Sequence, residues 1–402
     1  MTKHQSQIEK LIAEKCSKGV EFRELGVITK SIKTGLNPRQ NFRLNTPDAT
    51  NFYVTVKEIT SGKVQFSDKT DKINDEAVRI IQNRSDLELN DVLFSGIGTI
   101  GKVALADIPT NNWNCSESVF IIKPKQETIL PRYLMYILGS DIAKDQYQSQ
   151  SVGSTLKGVR MATLASIKIP VPPLEIQQEI ASILDAFTEL EAELEAELEA
   201  RGKQYEHYRS ELLTFNESER VRWTTLDRIS INLDSKRKPV TRSARTAGNV
   251  PYYGASGIVD YVSDYIFEGD YLLVSEDGAN LLARTTPIAF SISGKTWVNN
   301  HAHVLKFESY AMRRLIEIYL NSIDLRSYVS GGAQPKLNKT NLNKIPVPVP
   351  SEEEQEHIVS ILDKFDALVN DKSEGLPAEI SARRKQYEYY RGKLLTFPEY
   401  VS

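Results

Sequence analysis

Hydrophobic positions follow two different rhythms along this 402-residue chain. In residues 1–168 and again in 216–344, apolar residues come in short runs bounded by turn residues, such as DVLFSG at 91–96 and DYLLVSEDG at 270–278. Runs of that kind read as strands. Each set leads into a stretch with helical spacing, PRYLMYILGSDIAKDQY in the first region and AMRRLIEIYLNSIDLRSYV in the second. Beyond them lie proline-rich passages, IKIPVPP at 167–173 and IPVPVPS at 345–351, which should stop one element and start a helix. Ser351 with Glu354 forms a capping box for the second start. In the first of these helices Ile176, Ile180, Ile183, Phe187, Leu190 and Leu194 alternate steps of four and three, a heptad seam. The second carries Ile358, Ile361, Phe365 and Leu368, breaks at Gly375-Leu376-Pro377 and resumes toward Lys385.

The two helical stretches are copies of one another. Lys203–Phe215 reads KQYEHYRSELLTF and Lys385–Phe397 reads KQYEYYRGKLLTF, ten of thirteen positions being identical. Upstream, Gln177, Ile180, Ser182, Ile183, Leu184, Asp185 and Phe187 recur 178 residues later as Gln355, Ile358, Ser360, Ile361, Leu362, Asp363 and Phe365. A tandem duplication on this scale fixes the architecture before any motif is weighed. Both halves open with V-x-[FW]-x-x-L-x-x-I, at Val20, Phe22, Leu25, Ile28 and at Val221, Trp223, Leu226, Ile229. The regions that follow share a plan but not a sequence. The predicted fold is α/β (α+β): two mixed α/β domains separated by two long helices packed as an antiparallel coiled coil, with pseudo-twofold symmetry. The first variable domain covers 1–168, with a helix at 3–18; the central spacer helix covers 169–215, the second variable domain 216–344 and the C-terminal spacer helix 345–402.

Charge sharpens this division. The net −3 conceals +5 over 1–168, −8 over 169–215, +4 over 216–344 and −4 over 345–402, so basic variable regions alternate with acidic helices. Local sign, not the total, is what steers a polyanion. Five of the eleven acids in 169–215 lie in LEAE, LEAE, LEAR at 190–201, which sets glutamates four apart. Like charges in that register cost about 0.2–0.5 kcal/mol per pair, so the repeat is not optimised for stability. It reads either as a solvated acidic helix or as a spacer whose repeat number sets a distance, each unit adding about 6 Å and a net turn of about 40°. No apolar run approaches the about 20 residues of a membrane span, and the start MTKHQSQIEKLIAEK is charged throughout, so a cytoplasmic protein is expected. Cys16 and Cys115 have neither disulfide nor zinc-ligand spacing.

Several motifs imitate enzymes. Gly96, Gly98 and Gly101 in SGIGTIGK make G-x-G-x-x-G, and Gly96–Lys102 satisfies most of a P-loop. Val103 stands where that loop needs a hydroxyl, and the following KVALAD reads as strand, so a glycine-rich strand turn is the better reading over a nucleotide enzyme. His301 and His303 lie two apart in WVNNHAHVL, which on a strand puts both on one face, without further metal ligands in view. Nothing in the chain points to catalysis.

The binding candidates lie inside the variable domains. Lys236, Arg237, Lys238, Arg242 and Arg245 form a dense basic run of the kind that lies on phosphates, with surface solubility as the plain alternative. Gly153 and Lys157 in VGSTLKGVR, which ends at Arg160, pair by offset with Gly332 and Lys336 in GGAQPKLNK, suiting a phosphate contact in each domain. Asn299, Asn300, His301, His303 and Gln334 can donate and accept at base edges, and Tyr252 and Tyr253 complete the set. The seam residues Ile180, Leu184, Phe187, Leu190, Leu194, Leu198, Tyr205, Ile358, Leu362, Phe365 and Tyr387 are the candidates for the spacer and for docking partner helices.

Taken together, PVPPLEIQQEIASILDAF, GLPAEISARRKQYEYYRGKLLTF, PYYGASGIVDY and VNNHAHVL resemble the specificity (S) subunits of type I restriction-modification systems, over about residues 20–397. The resemblance implies two target-recognition domains, each reading one half of a split double-stranded DNA sequence. It implies helices that set the gap and dock two methyltransferase (modification) subunits, with the LEAE units resembling the family's variable spacer. The chain itself would be non-catalytic and bind no cofactor. S-adenosylmethionine would sit on the modification subunits, which methylate adenine N6, and ATP with Mg²⁺ on separate restriction (translocase) subunits. An S-type subunit serving a fused restriction and methylation enzyme is the alternative.

Overall fold

The structure is a computed structural model and describes residues 2–39, 41–149, 158–215, 221–331 and 334–400. The chain divides into two compact units, Met1–Glu195 with Glu379–Ser402, and Ala196–Ala378. One boundary falls inside the LEAE repeat, so each unit takes one variable domain together with parts of the repeated helices.

Both variable domains are built on a four-stranded antiparallel sheet. In the first its order is Thr29–Thr34, Val119–Pro124, Val92–Ser95, Val103–Leu105. In the second it is Ile231–Asn232, Ala302–Lys306, Tyr271–Ser275, Ala289–Ile292. The registers agree, since Val119 pairs with Ser95 and Ala302 with Ser275. The central strands lack polar alternation because both faces are covered. Val92 and Phe94 face a core that includes Tyr133 and Leu134 of the helix Pro131–Leu138, whereas Leu93 joins Trp113 and Cys115 on the other side. Leu272 and Val274 likewise meet Ile316 and Leu320 of the helix Tyr310–Ser322, and Leu273 meets Val298. A parallel strand pair supplies the opposite face in each domain, Asn51–Val54 with Trp113–Cys115 and Ala247–Gly254 with Lys295–Val298.

The proline-rich passages are strands as well as punctuation. Lys168–Pro170 pairs with Phe22–Glu24, and Pro346–Val349 with Arg222–Thr225, placing Pro170 opposite Phe22 and Pro348 opposite Trp223. A two-stranded ribbon leaves one edge of each strand free, where the missing proline N–H is harmless. In the first unit the closing segment returns to the start: Val20 N–H donates to Pro398 O at 2.8 Å and Tyr400 N–H to Val20 O at 2.9 Å.

The central spacer is one 39-residue helix, Leu174–Leu212. Its repeat is two helices, Glu352–Asn370 and Leu376–Leu395. Gly375 makes the break, because a Cβ there would lie 2.4 Å from the Ala367 carbonyl oxygen, and Pro377 is tolerated in the first turn of the next helix. Within the first unit the contacts run antiparallel. Phe187 lies against Tyr387 and Tyr390, and Arg384 bonds Glu191 and Glu195, each at 2.5 Å. Within the second unit Tyr205 and Tyr208 lie against Phe365, and Leu212 joins Ile358.

The seam is more deeply buried than a docking surface can be. Ile180 and Leu184 belong to the first variable domain's core, and Tyr205, Ile358 and Leu362 pack with Leu315 and Ile318 of the second. Phe187 is also buried. The predicted partner-docking role is therefore corrected for these six: side chains with at most 9% of their surface accessible have little left to offer a partner, and they bind the helices to the chain's own domains. Leu190, Leu194, Leu198, Phe365 and Tyr387 are half-buried. Among the described residues, no helix is long and apolar enough to cross a membrane.

Candidate nucleic-acid interface

In both variable domains the same loops converge at one end of the four-stranded sheet. In the second, Glu276 N–H donates to His301 O at 2.8 Å, Leu337 N–H to Glu276 O at 2.8 Å and Asn299 N–H to Tyr253 O at 3.1 Å, while Asp277 bridges Lys336. In the first, Gly96 N–H donates to Ser118 O, Val159 N–H to Gly96 O and Ser116 N–H to Val54 O, all at 2.8 Å, while Ile97 bridges Gly158. The backbone frame is shared and the side chains are not. This pattern pairs Lys336 with Gly158, a displacement of 178 that matches the helical repeat, so the predicted pairing of Lys336 with Lys157 is out by one residue. Gly153, Lys157 and Gly332 lie outside the described residues. Arg160 is exposed and precedes the helix Met161–Ala165 without capping it, at the place where the Asn338 side chain caps Lys339–Asn343.

Behind the second domain's edge is a buried ionic network. His303 has no exposed side-chain surface; its Nδ1 lies 2.6 Å from Asp234 Oδ2 and its Nε2 2.7 Å from Leu337 O. Both ring nitrogens thus face an oxygen acceptor. Arg237 donates to Glu276 at 2.6 Å and to Ala302 O at 2.7 Å, and Lys336 Nζ reaches Glu276 at 3.2 Å. Burial is the largest single influence and works to raise the carboxyls of Asp234 and Glu276, but the hydrogen bonds and opposite charges of His303, Arg237, Val304 N–H and Lys336 together outweigh it and hold both below their ordinary values. Asp234, Glu276 and His303 bring metal-type donor atoms within 4.8 Å of one another. The Arg237 and Lys336 cations already answer those carboxylates, so the cluster reads as an internal salt lattice.

Several candidates therefore have structural duties. Arg237 is turned inward, and its charge is committed to Glu276 and Asp234. Arg245 pairs with Asp260 at 2.9 Å and lies over the Tyr252 ring at 4.2 Å. Tyr252 is buried, and its hydroxyl accepts from Val240 N–H at 3.0 Å; Tyr253 is half-buried. Asn299 is buried and receives His301 N–H. His301 and His303 do not share a face, because the strand begins only at Ala302 and His301 belongs to the preceding turn. In the second domain, Lys236, Lys238, Arg242, Asn300, His301, Gln334 and Lys336 remain at the surface. Sequence reasoning missed Asp234, Glu276 and Asp277. The acids of SEDG at 275–278, set against SGIG at 95–98, were the available signal.

The glycine-rich segment at 96–102 is a tight strand turn. Ser95 Oγ donates to Thr99 O at 2.6 Å and accepts from Lys102 N–H at 2.8 Å, and the strand Val103–Leu105 follows at once. The Lys102 ammonium donates to Val56 O at 3.0 Å. With no helix N-terminus behind it, this turn lacks the aligned N–H groups that a P-loop aims at phosphates.

The profile of the type I restriction modification DNA specificity domain matches residues 17–200 and 229–382. A Haemophilus influenzae protein bearing the name type I restriction enzyme specificity subunit S.HindORF215P is 39% identical over 187 residues. That match covers 46% of this chain and 48% of the relative, so it spans about half of that protein's length. The Escherichia coli type I restriction enzyme EcoR124I/EcoR124II specificity subunit is 33% identical over 296 residues, 66% of this chain and 70% of that one. Among solved structures, the type I restriction-modification system S subunit from M. genitalium aligns with TM-score 0.61 at 18% identity, covering 94% of this chain and 96% of that one. At that identity the likeness is one of fold.

Proposed function

The chain belongs to the type I restriction modification DNA specificity family, and from that premise we propose that its two variable domains each read one half of an asymmetric bipartite DNA target. One observation carries the reading: two domains with a common backbone frame present different side chains at the same sheet end. A shared frame with unlike edges is what two separate readers need. The first offers Gly96, Ile97, Gly158 and Arg160 where the second offers Glu276, Asp277, Lys336 and Asn338. Exposed cations beside the second edge, Lys236, Lys238 and Arg242, supply the sequence-independent phosphate contacts that position a duplex. Asn300, His301 and Gln334 supply groups able to read base edges.

The helices set the gap between half-sites in this reading, and the accessible faces of the repeated segments dock two methyltransferase subunits. Two near-copies of one surface suit two copies of one partner. His207 and Tyr389, the same position in the two copies and both exposed, stand beside the buried seam and are the natural places for such contacts. The partners bring S-adenosylmethionine for methylation of adenine N6, and separate subunits bring ATP-driven restriction. This chain supplies address and geometry and does no chemistry.

Single-molecule sequencing of adenine methylation in host DNA, with and without this gene, tests the proposal. Loss of one split motif with a fixed gap is the expected result. An unchanged methylome together with no sequence preference in DNA binding by the purified complex would overturn it.

A further inference from the structure

The turn after Ser275 holds an acid–histidine pair that no duty in the fold explains. His301 Nδ1 lies 2.9 Å from Asp277 Oδ2 and 3.0 Å from Oδ1. Its side chain is 51% exposed, against none for His303 two residues on. Both backbones are pinned. His301 N–H donates to Asn299 Oδ1 at 2.8 Å, and its carbonyl accepts from Glu276 N–H at 2.8 Å. Asp277 bridges Lys336, and the next residue, Gly278, donates to Pro335 O at 3.1 Å.

A carboxylate only accepts, so Asp277 keeps a hydrogen on Nδ1 and thereby fixes both the tautomer and the angle of the ring. Among the described residues Nε2 has no partner. It is left as an oriented acceptor at the sheet end where the reading loops meet. The charged groups around it are accounted for: Glu276 of the same turn is taken by Arg237 and Lys336, and Lys336 stands across the bridge. In the first domain the matching positions are Ile97 and Ser118, which cannot form such a pair.

We propose that His301 is a specificity-determining residue of the second domain, oriented by Asp277, whose Nε2 accepts a hydrogen bond from the exocyclic amino group of one base, adenine N6 or cytosine N4, in the major groove. Those amino groups are the major-groove donors, and guanine and thymine present only acceptors there. Asp277 is a positioning residue: it touches no base and acts through the ring. The inference rests on the bipartite-reader proposal and adds to it one base pair, one atom and one polarity.

The test uses the assembled complex with its partner subunits and duplexes carrying the methylated target, each base pair of the second half-site being replaced in turn. His301→Ala should reduce discrimination at a single base pair by about tenfold, the scale of one lost base contact. Asp277→Ala should weaken discrimination at that same base pair to a smaller extent. Asp277→Asn should restore most of it, since the amide oxygen still accepts from Nδ1. Discrimination across the first half-site should not change in any of the three. A merely structural pair would weaken binding to all sequences alike, without rescue of selectivity by Asn. If the complex still reads both half-sites while His301→Ala and Asp277→Ala leave every base preference intact, the inference is wrong and the reader proposal stands. If the wild-type complex has no bipartite preference, the reader proposal itself fails. Should His301→Ala melt early, Asp277→Ala carries the test, because it leaves the ring in place.

Discussion

Phe120 in the first variable domain and His303 in the second occupy one position of the shared sheet, opposite Phe94 and Val274 respectively. Phe120 fills the space that Gly96 leaves empty, where a Cβ would lie 2.2 Å from its ring carbon Cε2, and it joins Phe94 and Tyr147 in an aromatic cluster. His303 stands beside Glu276, the counterpart of Gly96, and is held by Asp234 with Arg237 and Lys336 close by. One framework thus accepts an apolar filling and an ionic one. The hydrogen bonds that define the sheet end are backbone bonds, so they survive whatever side chains lie behind and in front of them. A reading edge can then diverge without the fold being rebuilt. The two fillings differ in how they fail: ions buried together are costly to separate, whereas a packed ring is sensitive to added volume.

The largest expected effect follows from the ionic side. Glu276→Ala leaves the Arg237 guanidinium short of a partner in a site where both side chains are 12% exposed, and should cost the second unit about 3 kcal/mol. Urea unfolding followed by domain-specific hydrogen exchange reads this loss, and an equal loss in the first unit would break the comparison. On the apolar side, Gly96→Ala forces its new methyl group into Phe120 and should cost the first unit about 1–3 kcal/mol by the same measurement. No loss there would mean that the ring is free to move aside.

Acid should act on the two domains with opposite sign. Burial pushes the Asp91 carboxyl in the first domain up to about 6 from its ordinary 3.8, against the Glu88 backbone bond and the charge of Lys123. A raised folded-state value means stability fully present below 3.8 and lost as pH rises through about 6. Asp234 and Glu276 are held below their ordinary values, so their contribution is present above 3.8 and 4.5 and is lost as pH falls. Between pH 7 and 5 the first unit should gain stability relative to Asp91→Asn; a pH-independent difference would remove Asp91 from the account. Glu317, which burial raises in the second unit, works against the loss there, so the contrast is read as wild type minus variant. The smallest effect belongs to Arg384→Ala. Its bonds to Glu191 and Glu195 are made by a half-exposed side chain, and their removal should lower the melting stability of the first unit by less than about 1 kcal/mol.

Arg384 also shows what was legible in the sequence. The glutamates of the LEAE repeat look unfavourable when counted along one helix, and two of them are answered by a residue 193 and 189 positions away. Features that repeat locally could be read: the duplicated helices, the break at Gly375, the strands before each helical stretch, and the turn at 96–102. The ribbons through Pro170 and Pro348 could not, because each pairs a short strand with one far along the chain. The candidate site was half-legible for the same reason. The density of Lys236–Arg245 marked the right loop, but only tertiary contact shows that Arg237 and Arg245 face acids while Lys236, Lys238 and Arg242 face solvent. The carboxylates that organise the second edge carry no local motif, and they stand out only when Glu276 and Asp277 are set against Gly96 and Ile97.

The most direct measurement is an exchange of residues 20–168 for the matching domain of another specificity subunit, followed by single-molecule sequencing of adenine methylation. If the two domains are independent readers on one frame, one half-site changes, the other half-site persists, and the gap is kept. A change in both half-sites would contradict the account, because each edge would then depend on the other for what it reads.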